Sequence, residues 1–221
     1  MNKELLAAEE LNINLKRRGT MVTKLILVRH GETDWNKNSR FQGNKNIALN
    51  RTGEKQADKL AQRLAQEEIN IIYSSNLDRA YKTAQIIARK HKLEVHQKEH
   101  LQEIDFGVWE GLTYKQIQKQ YPEQFEKWEK NPVKNNPQQG ENLKDIETRV
   151  FTILESILAE HQEETILVVA HGGVNRVIIS NLLGMPLNKC WRLNQNNTAV
   201  NVINIYQSEI SLETFNSTYH L

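Results

Sequence analysis

The sequence predicts an α/β fold: a three-layer α/β/α sandwich with a mostly parallel central sheet. Two observations lead to this class. Short aliphatic runs alternate along the chain with longer segments whose apolar residues recur at helical spacing. No internal repeat or linker divides the 221 residues. Alternating strands and helices build βαβ units, in which helices cover both faces of a parallel sheet.

Apolar runs of strand length mark the predicted sheet. Residues 24–28 and 165–170 are aliphatic almost throughout, which is typical of buried strands. Residues 198–206 and 209–215 read as a closing strand pair, expected to pair antiparallel at an edge. In chain order the predicted strands span residues 24–28, 69–73, 93–97, 165–170, 198–206 and 209–215.

Helical periodicity and capping residues mark the predicted helices. In residues 53–66, apolar side chains follow helical spacing, and Thr52 is the expected N-cap. Pro122 separates two short helices, and Gly184 with Pro186 ends the last helix. In chain order the predicted helices span residues 53–66, 77–89, 113–120, 123–130, 142–160 and 173–183.

Composition limits the domain organisation and the partners. Residues 1–20 are expected to be a polar N-terminal extension, followed by a single domain over residues 21–221, with Met21 as an alternative start. The 29 Lys and Arg nearly balance the 27 Asp and Glu, which disfavours a nucleic-acid partner. Apolar runs fall short of the about 20 residues of a spanning helix, so no membrane partner is expected. Cys190, the only cysteine, suits a cytoplasmic protein without disulfides.

Candidate chemical groups stand where the predicted strands end. In open parallel sheets, ligands bind beyond the carboxyl ends of the strands. The first strand runs into Arg29-His30-Gly31, and the strand over 165–170 runs into His171-Gly172-Gly173. Glycine permits close approach of a ligand, and backbone N–H groups at a helix start favour an anion.

Two further strand exits carry Arg79 and Glu103. Each of these signals alone is more often a turn or a solvated side chain, but together they predict a strongly positive pocket suited to a phosphoryl group. Histidine is a competent nucleophile, and nearby Arg29 and Arg79 disfavour its protonated form. Glu103 is the candidate acid and base, since Phe106 supplies apolar surroundings.

Several motifs occur together in an order and spacing that resemble the histidine phosphatase superfamily, in the branch similar to cofactor-dependent phosphoglycerate mutase. These motifs are Arg29-His30-Gly31-Glu32-Thr33, Trp35-Asn36, Phe41-Gln42-Gly43, Ser74-Ser75 through Arg79, Glu103 through Gly111, Gly140-Glu141-Asn142, and Val169-Ala170-His171-Gly172-Gly173. The resemblance covers nearly all of the chain from Lys24 onward and implies a phosphoglycerate mutase-like fold.

The resemblance also implies roles for individual residues. It places a phosphohistidine at His30, a phosphate pocket at Arg29, Arg79 and His171, and a general acid at Glu103. The implied substrate-binding residues further include Asn36, Gln42, Gly43 and Gly172. It implies no metal and no cofactor, and a small phosphorylated metabolite as the partner. His96, His100 and Glu103 are spaced so as to invite a metal site, but they fall on a predicted strand and loop, not on one helical face.

The superfamily contains both phosphatases and mutases. Mutases carry a lysine about eleven residues after the catalytic glutamate, where this chain has Tyr114, and an arginine pair that this chain lacks after Glu103. Residues 106–112 resemble broad-specificity and α-ribazole phosphatases. We therefore expect a phosphomonoester hydrolase. The alternatives are a 2,3-bisphosphoglycerate-dependent phosphoglycerate mutase and a weakly active regulatory or binding member. Neither the physiological substrate nor the oligomeric state follows from the sequence.

Overall fold

The computed structural model describes residues 22–221, so the predicted extension over 1–20 and Met21 lie outside the described residues. Within the described part, a six-stranded sheet has the order β3-β2-β4-β1-β5-β6. The strands are β1 (Thr23–Arg29), β2 (Ile71–Ser74), β3 (Val95–Gln97), β4 (Thr165–Ala170), β5 (Val200–Ile205) and β6 (Ile210–Ser217).

The sheet is parallel in its first four strands and antiparallel at one edge. Strand β4 lies between β1 and β2 and runs parallel to both, and β2 runs parallel to β3. Strand β5 pairs antiparallel with β1 and with β6, which confirms the predicted closing pair. The carboxyl ends of β1, β2 and β4 therefore meet at one rim of the sheet, where the start of β5 also lies.

Seven α-helices and three 3-10 turns connect the strands in the described residues. The helices are α1 (Asp34–Lys37), α2 (Arg51–Leu64), α3 (Asp78–His91), α4 (Tyr114–Gln120), α5 (Pro122–Lys130), α6 (Leu143–Glu160) and α7 (Gly172–Leu182). The 3-10 turns are Glu99–Leu101, Gly107–Trp109 and Leu187–Arg192.

The start of α2 corrects one sequence expectation. Asn50, rather than Thr52, is the N-cap: it is extended (φ −85°, ψ 176°) and its side chain accepts a hydrogen bond from the N–H of Gly53. This geometry needs a residue just outside the helix, and Thr52 already lies inside the first turn. The short helix α1, which the sequence did not predict, is closed by a reciprocal capping box between Thr33 and Asn36.

Side chains of β1 divide between two cores on opposite faces of the sheet. Ile26 and Val28 pack with the buried faces of α2 and α3. Leu25 and Leu27 belong to the larger core beneath α5, α6 and α7. Because successive residues of a strand point to opposite faces, both layers are anchored on the same strand. The three-layer α/β/α architecture is thus as predicted.

Candidate active site

His30 immediately follows β1, and its backbone is fixed from both sides. Its N–H donates to the carbonyl of Ala170 at 3.1 Å, and its own carbonyl accepts from the N–H of Thr198 at 3.2 Å and from Nδ2 of Asn197 at 3.1 Å. The ring Nδ1 lies 2.7 Å from the carbonyl oxygen of Gly31. A carbonyl only accepts, so Nδ1 carries the hydrogen and Nε2 holds a free lone pair.

His30 and His171 are buried as neutral imidazoles. Their ring centroids lie 5.2 Å apart, with an angle of 59° between the ring planes. Burial is the main reason why the pKa of His30 lies well below its usual 6.5, and the positive charges of Arg79 and Arg29 lower it further. The pKa of His171 is lowered in the same direction, again mainly by burial. The expected deprotonated state of His30 is therefore supported, with desolvation as the larger cause.

Arg29 and Arg79 enter the site from two strand ends and are held by backbone carbonyls. Nη1 of Arg29 donates to the carbonyl of Gln195 at 2.6 Å. Arg79 donates through Nη1 to Lys45 and through Nη2 to Gly43, both at 2.7 Å. Burial lowers the pKa of each guanidinium to about 10, so both remain charged at neutral pH.

Four buried nitrogen atoms of this site have no hydrogen-bond partner among the described residues. They are Nε of Arg29, Nε of Arg79 and both ring nitrogens of His171. Buried polar atoms are almost always paired in folded proteins, so a cluster of unpaired ones indicates a ligand site. The two guanidinium groups select an anion, and three converging side chains suit the several oxygens of a phosphoryl group.

The start of α7 is arranged differently from the sequence expectation. The N–H of Gly173 is directed at the carboxylate of Glu103, at 3.1 Å from Oε1 and 3.2 Å from Oε2, rather than left free for an external anion. A Cβ at Gly173 would lie 2.5 Å from Oε1 of Glu103, so a larger residue at this position would displace that carboxylate. The helix start therefore positions the candidate acid.

Glu103 lines the cavity, whereas two other carboxylates of the same loop, Asp105 and Glu110, hold backbone segments in place. Oδ1 of Asp105 accepts from the N–H of Gly107 at 2.8 Å. Oε1 of Glu110 accepts from the N–H of Asn44, also at 2.8 Å. Of these three carboxylates, only Glu103 faces the space beside His30.

The cavity in front of His30 has a volume of about 210 Å³. Of the remaining predicted binding residues, Asn36, Gln42 and Gly172 line it. The Oδ1 of Asn36 accepts from the N–H of Thr33, whereas its Nδ2 has no hydrogen-bond partner within residues 22–221. Gly43 does not line the cavity: its carbonyl accepts from Arg79, and it adopts a left-handed conformation (φ +54°).

Arg176, Gln195 and Asn197 also build the site, and the sequence expectation missed all three. Arg176 lines the cavity one helical turn after Gly172, a spacing that could have pointed to it. Gln195 and Asn197 hold Arg29 and His30 from the polar segment before β5. Because β5 runs antiparallel to β1, its first residues rather than its last lie at the rim. Considering only the residues that follow strands therefore missed Gln195 and Asn197.

Neither a metal cluster nor a membrane-spanning helix is present in residues 22–221. No group of three or more His, Cys, Asp or Glu side chains in that range could hold a metal ion. His96 and His100 are both exposed. None of the helices in the same range is long and apolar enough to cross a bilayer.

Comparisons with known proteins agree with this geometry. Phosphoserine phosphatase 1 of Hydrogenobacter thermophilus is 38% identical over 90% of this chain and 95% of its own length. Phosphoglycerate mutase-like protein 4 of Arabidopsis thaliana is 42% identical over 69% of this chain and 68% of its own. The structure of a phosphoserine phosphatase variant from Entamoeba histolytica in complex with phosphoserine superimposes with a TM-score of 0.82, at 33% identity, over 90% of this chain and 99% of the other.

A sequence model of the histidine phosphatase superfamily (branch 1) matches residues 25–218, which is nearly the whole described chain. That match and the structural similarity confirm the family and the fold inferred from the motifs. This chain belongs to branch 1 of the histidine phosphatase superfamily.

Proposed function

We propose that this chain hydrolyses small phosphomonoesters through a covalent phosphohistidine at His30. One observation carries the proposal: His30, whose Nε2 is free, lines one cavity together with Arg29 and Arg79, and the ring of His171 lies 5.2 Å from its own. Arg29, Arg79 and His171 each carry buried nitrogen atoms that have no partner among the described residues. Hydrolysis of a phosphomonoester is also the activity that the name of the similar phosphoserine phosphatase states. We assign this activity to residues 21–221 as a single domain, with residues 1–20 as an extension preceding it.

In the first step, Nε2 of His30 attacks the phosphorus atom while the bond from phosphorus to the ester oxygen breaks. The lone pair is available because the imidazole is neutral, and Nδ1–H stays bonded to Gly31. Arg29 and Arg79 neutralise charge on the phosphoryl oxygens. Glu103, protonated, gives its proton to the leaving alcohol.

In the second step, water attacks the phosphohistidine. Glu103, now a carboxylate, accepts a proton from the water as the P–N bond breaks, and His30 is returned as a neutral imidazole. The arginines and His171 hold the phosphoryl group during both steps. All charge compensation comes from these side chains, so we propose that the reaction requires neither a metal nor a cofactor.

The substrate we propose is a short phosphorylated metabolite of the phosphoserine class, acted on in the cytoplasm. The cavity of about 210 Å³ has room for a compact ester and little more. Two of the similar proteins named above are phosphoserine phosphatases. Neither a nucleic acid nor a membrane is required by this chemistry.

Mutase activity is the second candidate, because one similar protein is named as phosphoglycerate mutase-like. Tyr114 occupies the place where mutases carry a lysine, and it does not line the cavity. Its hydroxyl donates instead to Glu129 on α5, and its side chain is exposed. An exposed tyrosine thus takes the place of the lysine that mutases carry, and this replacement favours hydrolysis over return of the phosphoryl group to the substrate.

A rapid-quench experiment tests the proposed nucleophile. Wild-type protein mixed with ³²P-labelled phosphoserine should yield an acid-labile, alkali-stable phosphoenzyme. His30→Asn should yield none and should lower kcat by at least about 10³-fold, as expected for the loss of a nucleophile. His96→Asn, an exposed histidine, is the matched control and should behave as wild type. Near-normal turnover by His30→Asn would refute the assignment.

A product assay with 3-phosphoglycerate separates the two candidate activities. Hydrolysis should release inorganic phosphate and glycerate. Formation of 2-phosphoglycerate without release of phosphate would establish the mutase instead. Absence of turnover on every phosphomonoester tested, with the protein folded, would favour the regulatory or binding alternative.

A further inference from the structure

Resting on the proposed function, we infer that Arg176 binds a carboxylate carried by the substrate and thereby selects acidic phosphomonoesters. Arg176 lies on α7, one turn after Gly172, and lines the cavity. It is separate from the two arginines that surround His30 and has no part in the steps described above.

The Arg176 guanidinium is held in one orientation with one edge left open. Its Nε donates to the carbonyl of Leu193 at 2.6 Å. Its central carbon lies 5.5 Å from the ring centroid of Trp191, so the group is also held by the aromatic face. Nη1 and Nη2 have no hydrogen-bond partner among the described residues. These two nitrogens form the pair of parallel donors that a carboxylate accepts in a bidentate manner.

Trp191, which contacts the Arg176 guanidinium, is itself packed against aromatic side chains beside the site. Its ring centroid lies 5.6 Å from that of Trp128 on α5, which in turn contacts Trp109 at 5.6 Å. Trp191 also lines the cavity, and its buried Nε1 donor has no hydrogen-bond partner among the described residues. The Arg176 side chain is therefore preorganised, which lowers the entropic cost of binding an anion.

Arg176 lies next to the phosphoryl position. A Cβ at Gly172 would be 2.9 Å from Nη1 of Arg176 and 3.5 Å from Nε of Arg29. Both guanidinium groups thus lie close to the space that a side chain at Gly172 would occupy. A substrate whose phosphoryl group contacts Arg29 would bring a carboxylate to Arg176 through a short chain of atoms.

The charge balance of the cavity favours such a substrate. Its lining contains four arginines, Arg29, Arg40, Arg79 and Arg176, and one carboxyl group, Glu103. A phosphomonoester dianion brings two negative charges and leaves positive charge uncompensated. Burial lowers the pKa of Arg176, because the charged guanidinium has lost part of its hydration. A second anion next to this group would offset that desolvation cost. A planar carboxylate fits the small cavity and the open edge of the Arg176 guanidinium better than a second phosphate would.

The test measures kcat/KM on three substrates that differ in the proposed contact. O-phosphoserine carries the carboxylate, O-phosphoethanolamine has the same chain without it, and phenyl phosphate has neither carboxylate nor amine. Wild type should prefer phosphoserine to phosphoethanolamine by roughly 30-fold, the worth of one bidentate charged contact. Arg176→Gln should abolish that preference, mainly through KM, and keep phenyl phosphate hydrolysis within about threefold.

Two further variants make the result specific. Arg176→Lys keeps the charge but not the paired donors, and should recover only part of the preference. Arg192→Gln, an exposed arginine in the 3-10 turn that carries Trp191, is the matched control and should retain the full preference.

Three outcomes would overturn the inference. They are a wild type without preference for phosphoserine over phosphoethanolamine, an equal loss on all three substrates in Arg176→Gln, and a loss of the preference in Arg40→Gln but not in Arg176→Gln. If Arg176→Gln does not fold, the inference is still tested by two measurements: the preference of wild type for phosphoserine over phosphoethanolamine, and the partial loss of that preference in Arg176→Lys. Phenyl phosphate turnover by wild type reports on the proposed function alone, so its failure is distinguishable from a failure of this inference.

Discussion

Nη2 of Arg149 donates a hydrogen bond to the backbone carbonyl of Glu103 at 3.0 Å. Arg149 lies on α6, outside the cavity, and the same guanidinium also binds the carbonyls of His100 and Gln102 and both carboxylate oxygens of Glu141. Every N–H of this arginine is used. One side chain therefore fixes the backbone of the loop that carries the candidate acid.

Replacing Arg149 should loosen that loop and misplace Glu103. We expect Arg149→Met to lower the free energy of unfolding by roughly 2–4 kcal/mol, because several backbone carbonyls and Glu141 lose their partner. Urea denaturation measures this loss. Hydrolysis of alkyl phosphates should fall more than that of p-nitrophenyl phosphate, since only the former needs the acid. Arg149→Lys should restore part of both, and equal stability of wild type and Arg149→Met would contradict the prediction.

Glu103→Gln should slow the hydrolysis of alkyl phosphates by about 10²-fold or more and affect p-nitrophenyl phosphate far less. An alkoxide is a poor leaving group and needs a proton as the bond breaks, whereas p-nitrophenolate leaves with little help. Steady-state kcat on both substrates measures the difference. Asp105→Asn is the control, because this carboxylate caps the N–H of Gly107 and does not line the cavity. Selective loss of alkyl phosphate hydrolysis in Asp105→Asn instead would reassign the acid.

Removal of metal ions should leave the phosphatase activity unchanged. In the proposed mechanism the guanidinium groups of Arg29 and Arg79 supply the positive charge around the phosphoryl group, and their pKa values of about 10 keep them charged. Dialysis against EDTA followed by a phosphate-release assay tests this, with a zinc-dependent phosphatase treated in parallel. A loss of activity that added magnesium or zinc restores would show that the prediction is wrong.

The protein should become less stable as the pH falls below about 6.5. In the folded state the pKa values of His30 and His171 lie well below 6.5, so between those values and 6.5 the unfolded chain binds more protons. Each histidine then contributes a slope of about 1.4 kcal/mol per pH unit, and the contribution levels off above pH 6.5. Urea denaturation from pH 5 to 7.5 should show a shallower slope for His171→Asn than for wild type. An unchanged slope in that variant would contradict the burial of a neutral imidazole.

Local patterns in the sequence were sufficient for the strands and for the residues that follow them. Residues 165–170 were predicted as a strand with the bounds the structure has, because a run that is aliphatic after its first residue and buried on both faces has few alternatives. His30, Arg79 and Glu103 line one cavity, and His171 lies against His30, because parallel strands bring their carboxyl ends to one rim.

The remaining features depend on contacts between distant segments. Arg149 reads as a polar residue of an amphipathic helix, and only folding brings it to Glu103, 46 residues earlier in the chain. The N-cap of α2 was misplaced because Asn50 and Thr52 are both good capping residues, and their backbone conformation decides between them. Gln195 and Asn197 precede β5. They reach the site only because β5 runs antiparallel to β1 and therefore begins at the rim where the parallel strands end.

The long sequence separation between His30 and the groups that fix it has a consequence for synthesis of the protein. Its backbone is held by Ala170, Asn197 and Thr198, and Arg29 is held by Gln195. A ribosome has therefore made most of the chain before these bonds can form. We therefore expect a nascent chain that already contains His30 to be inactive until strands β5 and β6 have joined the sheet.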